Sequence, residues 1–130
     1  MATQLAQFWE GSNPKIKIKH NLGSGVYENL EDILELYVYI LDAAGNTIAR
    51  YSKAGTAIGG NTFIALIKES VYEYKVILTS TLTKTLGTQN LQCEINPARN
   101  DSELVSGISD YPVRFTLLKM IGSNIKEITT

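Results

Sequence analysis

The chain is predicted to be all-β, an antiparallel β-sandwich, and three observations predict it. Residues 34–50 read LELYVYILDAAGNTIAR, two alternating apolar segments around a Gly-Asn turn, which is the pattern of a β-hairpin. Turn-forming clusters of Gly, Asn, Asp, Ser or Pro recur roughly every 8–15 residues and leave seven to nine short strands between them. No long helical pattern separates these segments, so parallel crossover units and dinucleotide folds are not expected.

Residues 1–14 are set apart as an N-terminal arm. Leu5, Phe8 and Trp9 are spaced as one face of a short helix that ends in the breaker Gly11-Ser12-Asn13-Pro14. A turn or two of helix is not stable by itself in water, so these side chains must pack on their own domain or on a neighbouring subunit. Packing on the chain's own domain is the commoner outcome; a neighbouring subunit is the other, where aromatic anchors are favoured, and Trp9 is the single Trp of the chain. Residues 15–130 then form one domain, the size at which a single hydrophobic core closes.

Within that domain Lys15-Ile16-Lys17-Ile18-Lys19 alternates strictly, which predicts a one-sided strand with a solvated lysine row that discourages edge pairing. Residues 21–29, with two glycines and Tyr27, read as a loop. Helix competes with strand over residues 29–36, because Leu30, Ile33 and Leu34 also fit a 3.6 period; the Tyr-Val-Tyr-Ile run decides for strand from Leu34 onward. Leu34, Leu36, Val38 and Ile40 are the expected core face, with Tyr37, Tyr39 and Leu41 opposite.

The return strand covers residues 47–52, and further strands are expected over 62–67, 71–80 and 88–95. The second of these is apolar on both faces from Val76 to Leu78, which marks a central strand. Residues 79–88 are a Thr-rich turn region. Residues 96–102 are expected to be a long loop, because Pro97 interrupts a ladder and the Asn/Asp/Ser group offers local turn hydrogen bonds. Residues 113–121 alternate with Val113, Phe115 and Leu117 on one face, and a last hairpin at 122–124 leads to Ile125 and Ile128.

Composition excludes several function classes. Twelve basic and thirteen acidic residues leave a net charge of -1, so no field attracts nucleic acid. No apolar run approaches the roughly 20 residues of a membrane-spanning helix, and the N-terminus has no signal-peptide pattern, so the expected place of synthesis is a cytoplasm. Cys93, the single cysteine, cannot form an internal disulfide; it shares a strand face with Leu91 and Ile95 and is expected to pack as a small apolar residue.

Catalysis finds little support. His20 is the single histidine, so a serine-type triad or a multi-histidine metal site would need residues from another chain. The acidic sets Glu28, Glu31, Asp32, Glu35 and Asp101, Glu103, Asp110 lack calcium-loop spacing and sit in polar segments that would not raise the pKa of a general acid. The glycines at 23, 25, 55, 59 and 60 lack the context of a phosphate loop. The expected protein is therefore not an enzyme and has no cofactor, metal or small-molecule substrate. Seven tyrosines against three phenylalanines suit an interface instead, because each ring carries a polar tip. Tyr37 and Tyr39 lie on the face opposite the core, which a partner could cover; equally, they fit half-exposed cross-strand pairs.

Leu30-Glu31-Asp32-Ile33 leads into Glu35-Leu36-Tyr37-Val38-Tyr39-Ile40, followed by Asp42-x-x-Gly45-Asn46 and a charged return strand. Over residues 15–121 this resembles the Ig-like β-sandwich modules of tailed-phage virions, found in baseplate upper proteins and in head-auxiliary or decoration proteins. The chain departs from them at Ser70-Val71-Tyr72, where those modules have a Gly-Tyr pair. The resemblance implies a structural protein of a virion assembled in a host cytoplasm, whose partners are other virion proteins and copies of itself. On that reading Leu5, Phe8, Trp9, Tyr37 and Tyr39 form the candidate interface. Two rivals remain: a carbohydrate- or cell-surface-binding module whose ring platform is Tyr37, Tyr39, Tyr72 or Tyr74, and a small hydrolase using Glu31, Glu35 or Asp101.

Overall fold

The computed structural model describes residues 6–55 and 57–122. In chain order these hold β1 (Gln7–Trp9), β2 (Lys15–Ile18), β3 (Asn21–Gly23), β4 (Val26–Tyr27), β5 (Glu35–Leu41), β6 (Thr47–Ser52), β7 (Ile64–Ala65), β8 (Ile67–Lys68) and β9 (Tyr74–Ile77). Helix α1 (Ser80–Thr83), β10 (Gln89–Ala98), helix α2 (Asp101–Ser106) and β11 (Val113–Ile121) complete them. The all-β class predicted from the alternation is the class observed.

The strongest alternation builds the centre. β5 and β6 form the predicted hairpin, in register from Tyr37↔Ser52 to Ile40↔Ala49. Asp42 shapes its turn, with Oδ1 accepting from the backbone N–H groups of Ala44 at 3.0 Å and Asn46 at 2.8 Å. The other side of β5 pairs with β10, from Gln92↔Leu41 to Ala98↔Glu35. The resulting six-stranded sheet has the order β1-β11-β10-β5-β6-β7. A three-stranded sheet, β2-β9-β8, and the separate hairpin β3-β4 make up the rest.

Both larger sheets send side chains into one core. Ile16 and Ile18 from β2 and Tyr74 and Val76 from β9 pack with Leu36, Val38 and Ile40 from β5, Leu91, Cys93 and Ile95 from β10, and Leu118 and Met120 from β11. The chain passes between sheets at buried Leu66: β7 pairs with β6, and two residues later β8 pairs with β9. The single strand expected over 62–67 is thus two short pieces in different sheets. β9, expected to be central, is the middle strand of the small sheet only.

The arm differs from the expected helix. Residues 7–9 are a strand that runs parallel to β11, with Gln7↔Lys119, Phe8↔Met120 and Trp9↔Ile121. Strand geometry puts neighbours on opposite faces, so Phe8 packs against the core while Trp9 stays 58% exposed. The backbone N–H of Lys119 donates to Ala6 O at 2.9 Å and that of Glu10 to Ile121 O at 2.8 Å, which ties the segment into the main sheet.

Three further expectations are corrected. Leu34 lies just outside β5 and is exposed, so the core face begins at Leu36. Pro97 does not interrupt β10: the β10–β11 ladder has ended at Ile95↔Val113, so the proline sits where that side of β10 is an edge and no N–H is required. In β11 the register shifts opposite Leu91 and Gln92, so Leu118 and Met120, not Leu117, continue the face of Val113 and Phe115. The hairpin expected at 122–124, with Ile125 and Ile128, lies beyond the described residues apart from Gly122, and Leu5 is also outside them.

Candidate functional site

Tyr37 and Tyr39 point away from the main core, as the alternation predicts, but the chain covers them itself. Residues 100–107 hold α2, with Asn100 as its N-cap accepting from Glu103 N at 2.9 Å and Gly107 closing it at φ 73. The Tyr37 hydroxyl donates to Leu104 O and the Tyr39 hydroxyl to Gly107 O, each at 2.7 Å. Phe63 meets both rings edge-on, with centroids 5.4 Å and 5.8 Å away. Tyr37 is therefore fully buried in a second small core with Phe63 and Ala98, and it is no free contact surface. Burial, with the neighbouring Tyr37 as a smaller cause, pushes the Tyr39 hydroxyl up to about 12.

Four of the acidic candidates, Glu28, Glu31, Glu35 and Glu103, are engaged in structural bonds. Glu103 accepts from Asp110 N at 2.6 Å, Arg99 N at 2.9 Å and Ser109 Oγ at 3.1 Å, and these donors, the Asp110 N–H first, hold its carboxyl below the usual range. Buried Glu35 accepts from Leu36 N at 2.9 Å and Lys53 N at 2.7 Å. Glu31 accepts from the Tyr74 hydroxyl and pairs with Lys68, and the Lys68 bond is the main reason its carboxyl is held low. Glu28 bridges His20, 2.8 Å from Nδ1, and Arg99, which grips it through Nη2 at 2.7 Å and Nε at 3.1 Å. That trio fastens the base of the β3-β4 hairpin to the end of β10. No group of three or more His, Cys, Asp or Glu side chains is arranged to hold a metal ion among the described residues.

Among the open surfaces of the described residues, two bear on function. One is the β1-β11 edge. Val113 and Phe115 stand opposite Ile95 and Cys93 and so belong to the core-facing side of the large sheet, yet they are 37% and 38% exposed. The three-stranded sheet is narrower than the six-stranded one, and β1 pairs with β11 only from Lys119 to Ile121, so β11 has no outer neighbouring strand at Val113 and Phe115 among the described residues. Trp9 projects from the other face of the same edge.

The second is a cleft of about 440 Å³ lined by Lys19, Val26, Tyr27, Ser70, Tyr72 and Glu73. One wall is the β3-β4 hairpin, a strand pair within the segment expected to be a loop. Ser24 and Gly25, with φ 54 and 77, form its two-residue turn, and Asn21 Oδ1 accepts from Gly23 N at 2.7 Å. The opposite wall is the turn before β9, closed by Ser70 N donating to Glu73 O at 3.0 Å and by Ser70 Oγ accepting from Tyr72 N at 3.2 Å. Lys19 Nζ lies 5.0 Å from the centre of the Tyr27 ring and 3.3 Å from Glu73 Oε1. Among the four tyrosines the sequence offered as a ring platform, Tyr72 is the one in this cleft, while Tyr74 is buried in the core.

These features define an all-β protein whose two larger sheets share one core, with a partly exposed apolar edge and an aromatic cleft. No protein-family model matches the chain, and no curated protein matches it either.

Proposed function

We propose that this protein is a non-enzymatic structural subunit of a phage-like particle, an Ig-like β-sandwich that works through contacts with other virion proteins and with copies of itself. The observation that carries the reading is the β1-β11 edge: Val113 and Phe115, on the core-facing side of the large sheet, stay more than a third exposed, and Trp9 adds an exposed aromatic on the other side. Apolar groups in such a place gain by burial against a partner, at roughly 25 cal/mol per Å² removed from water, and aromatic anchors of this kind dominate interface energetics. The engagement of Glu28, Glu31, Glu35 and Glu103 in fixed structural bonds supports the non-enzymatic part.

Mass spectrometry of particles sedimented from the cells that make the protein tests this. The chain is expected at a reproducible multiple of the major shell or tube protein. Particles that lack it, or cells that form none, would overturn the reading.

A further inference from the structure

We infer that the cleft between the β3-β4 hairpin and the 70–73 turn binds a neutral pyranose sugar. This function is separate from assembly and does not depend on it.

The cleft has the size of a small-molecule site, about 440 Å³ against the about 300–1,000 Å³ usual for such sites. Tyr72 is 48% exposed, so its ring offers an apolar face to a ligand without any change in the core, and Tyr27, 40% exposed with Lys19 over its ring, adds apolar surface beside it. A pyranose has the matching composition: axial C–H groups that lie against an aromatic face, and equatorial hydroxyls that both donate and accept.

The polar lining selects among ligands. Lys19 and Glu73 stand 3.3 Å apart, an ammonium donor beside a carboxylate acceptor, which suits two adjacent hydroxyls of one ring. Their charges cancel, so neither a phosphate nor a carboxylate ligand gains an unpaired counter-charge. A quaternary ammonium is disfavoured for a different reason: the chain's own Lys19 already occupies the cation position over Tyr27. Ser70 adds a hydroxyl at the rim, and Val26 extends the apolar wall.

The site is also held in place. The Glu28 bridge to His20 and Arg99 anchors the hairpin, and Leu30 N donates to Val71 O at 2.7 Å beside the opposite turn. A preformed cleft of this kind spends little ordering entropy on binding.

Saturation-transfer NMR on the full chain tests the inference with four probes: methyl α-glucopyranoside, methyl α-mannopyranoside, methyl β-galactopyranoside and N-acetylglucosamine. Transfer from aromatic protons to the ring C–H protons of at least one sugar is expected. Tyr72→Ala should weaken that binding roughly tenfold, Tyr72→Phe should keep it, and Tyr111→Ala, at a tyrosine outside the cleft, should leave it unchanged. Absence of transfer to all four sugars would overturn the inference. So would undiminished transfer in Tyr72→Ala, or tighter binding of tetramethylammonium than of any sugar.

Discussion

The Tyr39 hydroxyl donates to the carbonyl oxygen of Gly107 across 68 positions of sequence, at 2.7 Å. This bond ties the outer face of the central strand to the residue that ends α2. A Cβ at position 107 would lie 2.7 Å from the same hydroxyl and 3.0 Å from Ile58 Cδ1, at a backbone φ of +73. Gly107→Ala therefore combines left-handed backbone strain of about 1–2 kcal/mol with loss of the bond, about 1 kcal/mol more. At Gly59, φ +56, a Cβ meets nothing, so Gly59→Ala carries the strain alone. Urea unfolding should show Gly107→Ala as the more destabilised of the two, and equal losses would contradict the role given to the hydroxyl.

Tyr39 and Tyr74 are two of the groups that contribute to stability in alkali. Burial raises Tyr39 and Tyr74 to about 12, with the Glu31 hydrogen bond a further cause for Tyr74. An unfolded chain releases these protons near the ordinary tyrosine value of about 10. Between pH of about 10 and about 12 the folded state holds more protons than the unfolded one, so stability is full below that interval and falls through it. Tyr39→Phe should flatten the fall in a denaturant series against pH; an unchanged slope would speak against a raised Tyr39.

Glu103 acts in the opposite direction. Its carboxyl is held below the ordinary range, chiefly by the Asp110 N–H, so its contribution is present above about pH 4.3 and is lost as pH falls through the folded value. Glu103→Gln should be less stable than wild type at neutral pH, with a smaller further loss on acidification. Parallel acid-unfolding curves would contradict this.

Cys93 is fully buried, and burial pushes its thiol up to about 12. A thiol-exchange reagent should therefore leave the native chain unmodified and label it once in urea. Labelling of the native chain faster than it unfolds would contradict its place in the core.

Phe8 and Trp9 separate packing from surface. Phe8→Ala should cost about 2–3 kcal/mol, somewhat below the cost for a fully buried ring because Phe8 is only partly buried. Trp9→Ala should change stability by less than about 0.5 kcal/mol. Deleting residues 1–11 should destabilise the fold, because it removes the strand paired with β11 and the bond from Gly87 N to Glu10 Oε2 at 3.0 Å. A deletion variant as stable as wild type would show that β1 contributes nothing.

What the sequence reveals of this fold follows the range of the interactions. The β5-β6 hairpin is legible because alternation and an Asp-x-x-Gly-Asn turn are local. The cover over Tyr37 and Tyr39 is not, since alternation says which face a side chain takes but not what Phe63 and Leu104 bring to it from elsewhere. Helix α2 had a local signal, Asn100 followed three residues later by Glu103, but Pro97 argued for a loop. The shift at Leu117 depends on the partner strand β10 and leaves no mark in β11 itself. The cleft was hidden because Tyr27 falls in a glycine-containing segment that reads as loop, although Ser24-Gly25 suits a two-residue turn.

The β1-β11 edge is the proposed contact surface in an assembled particle. Hydroxyl-radical footprinting tests it most directly, by comparing oxidation of Trp9 and Phe115 in the free chain and in purified particles. Ready oxidation of both residues in the free chain and several-fold protection in the particle is the predicted result. Equal oxidation in the two states would contradict it.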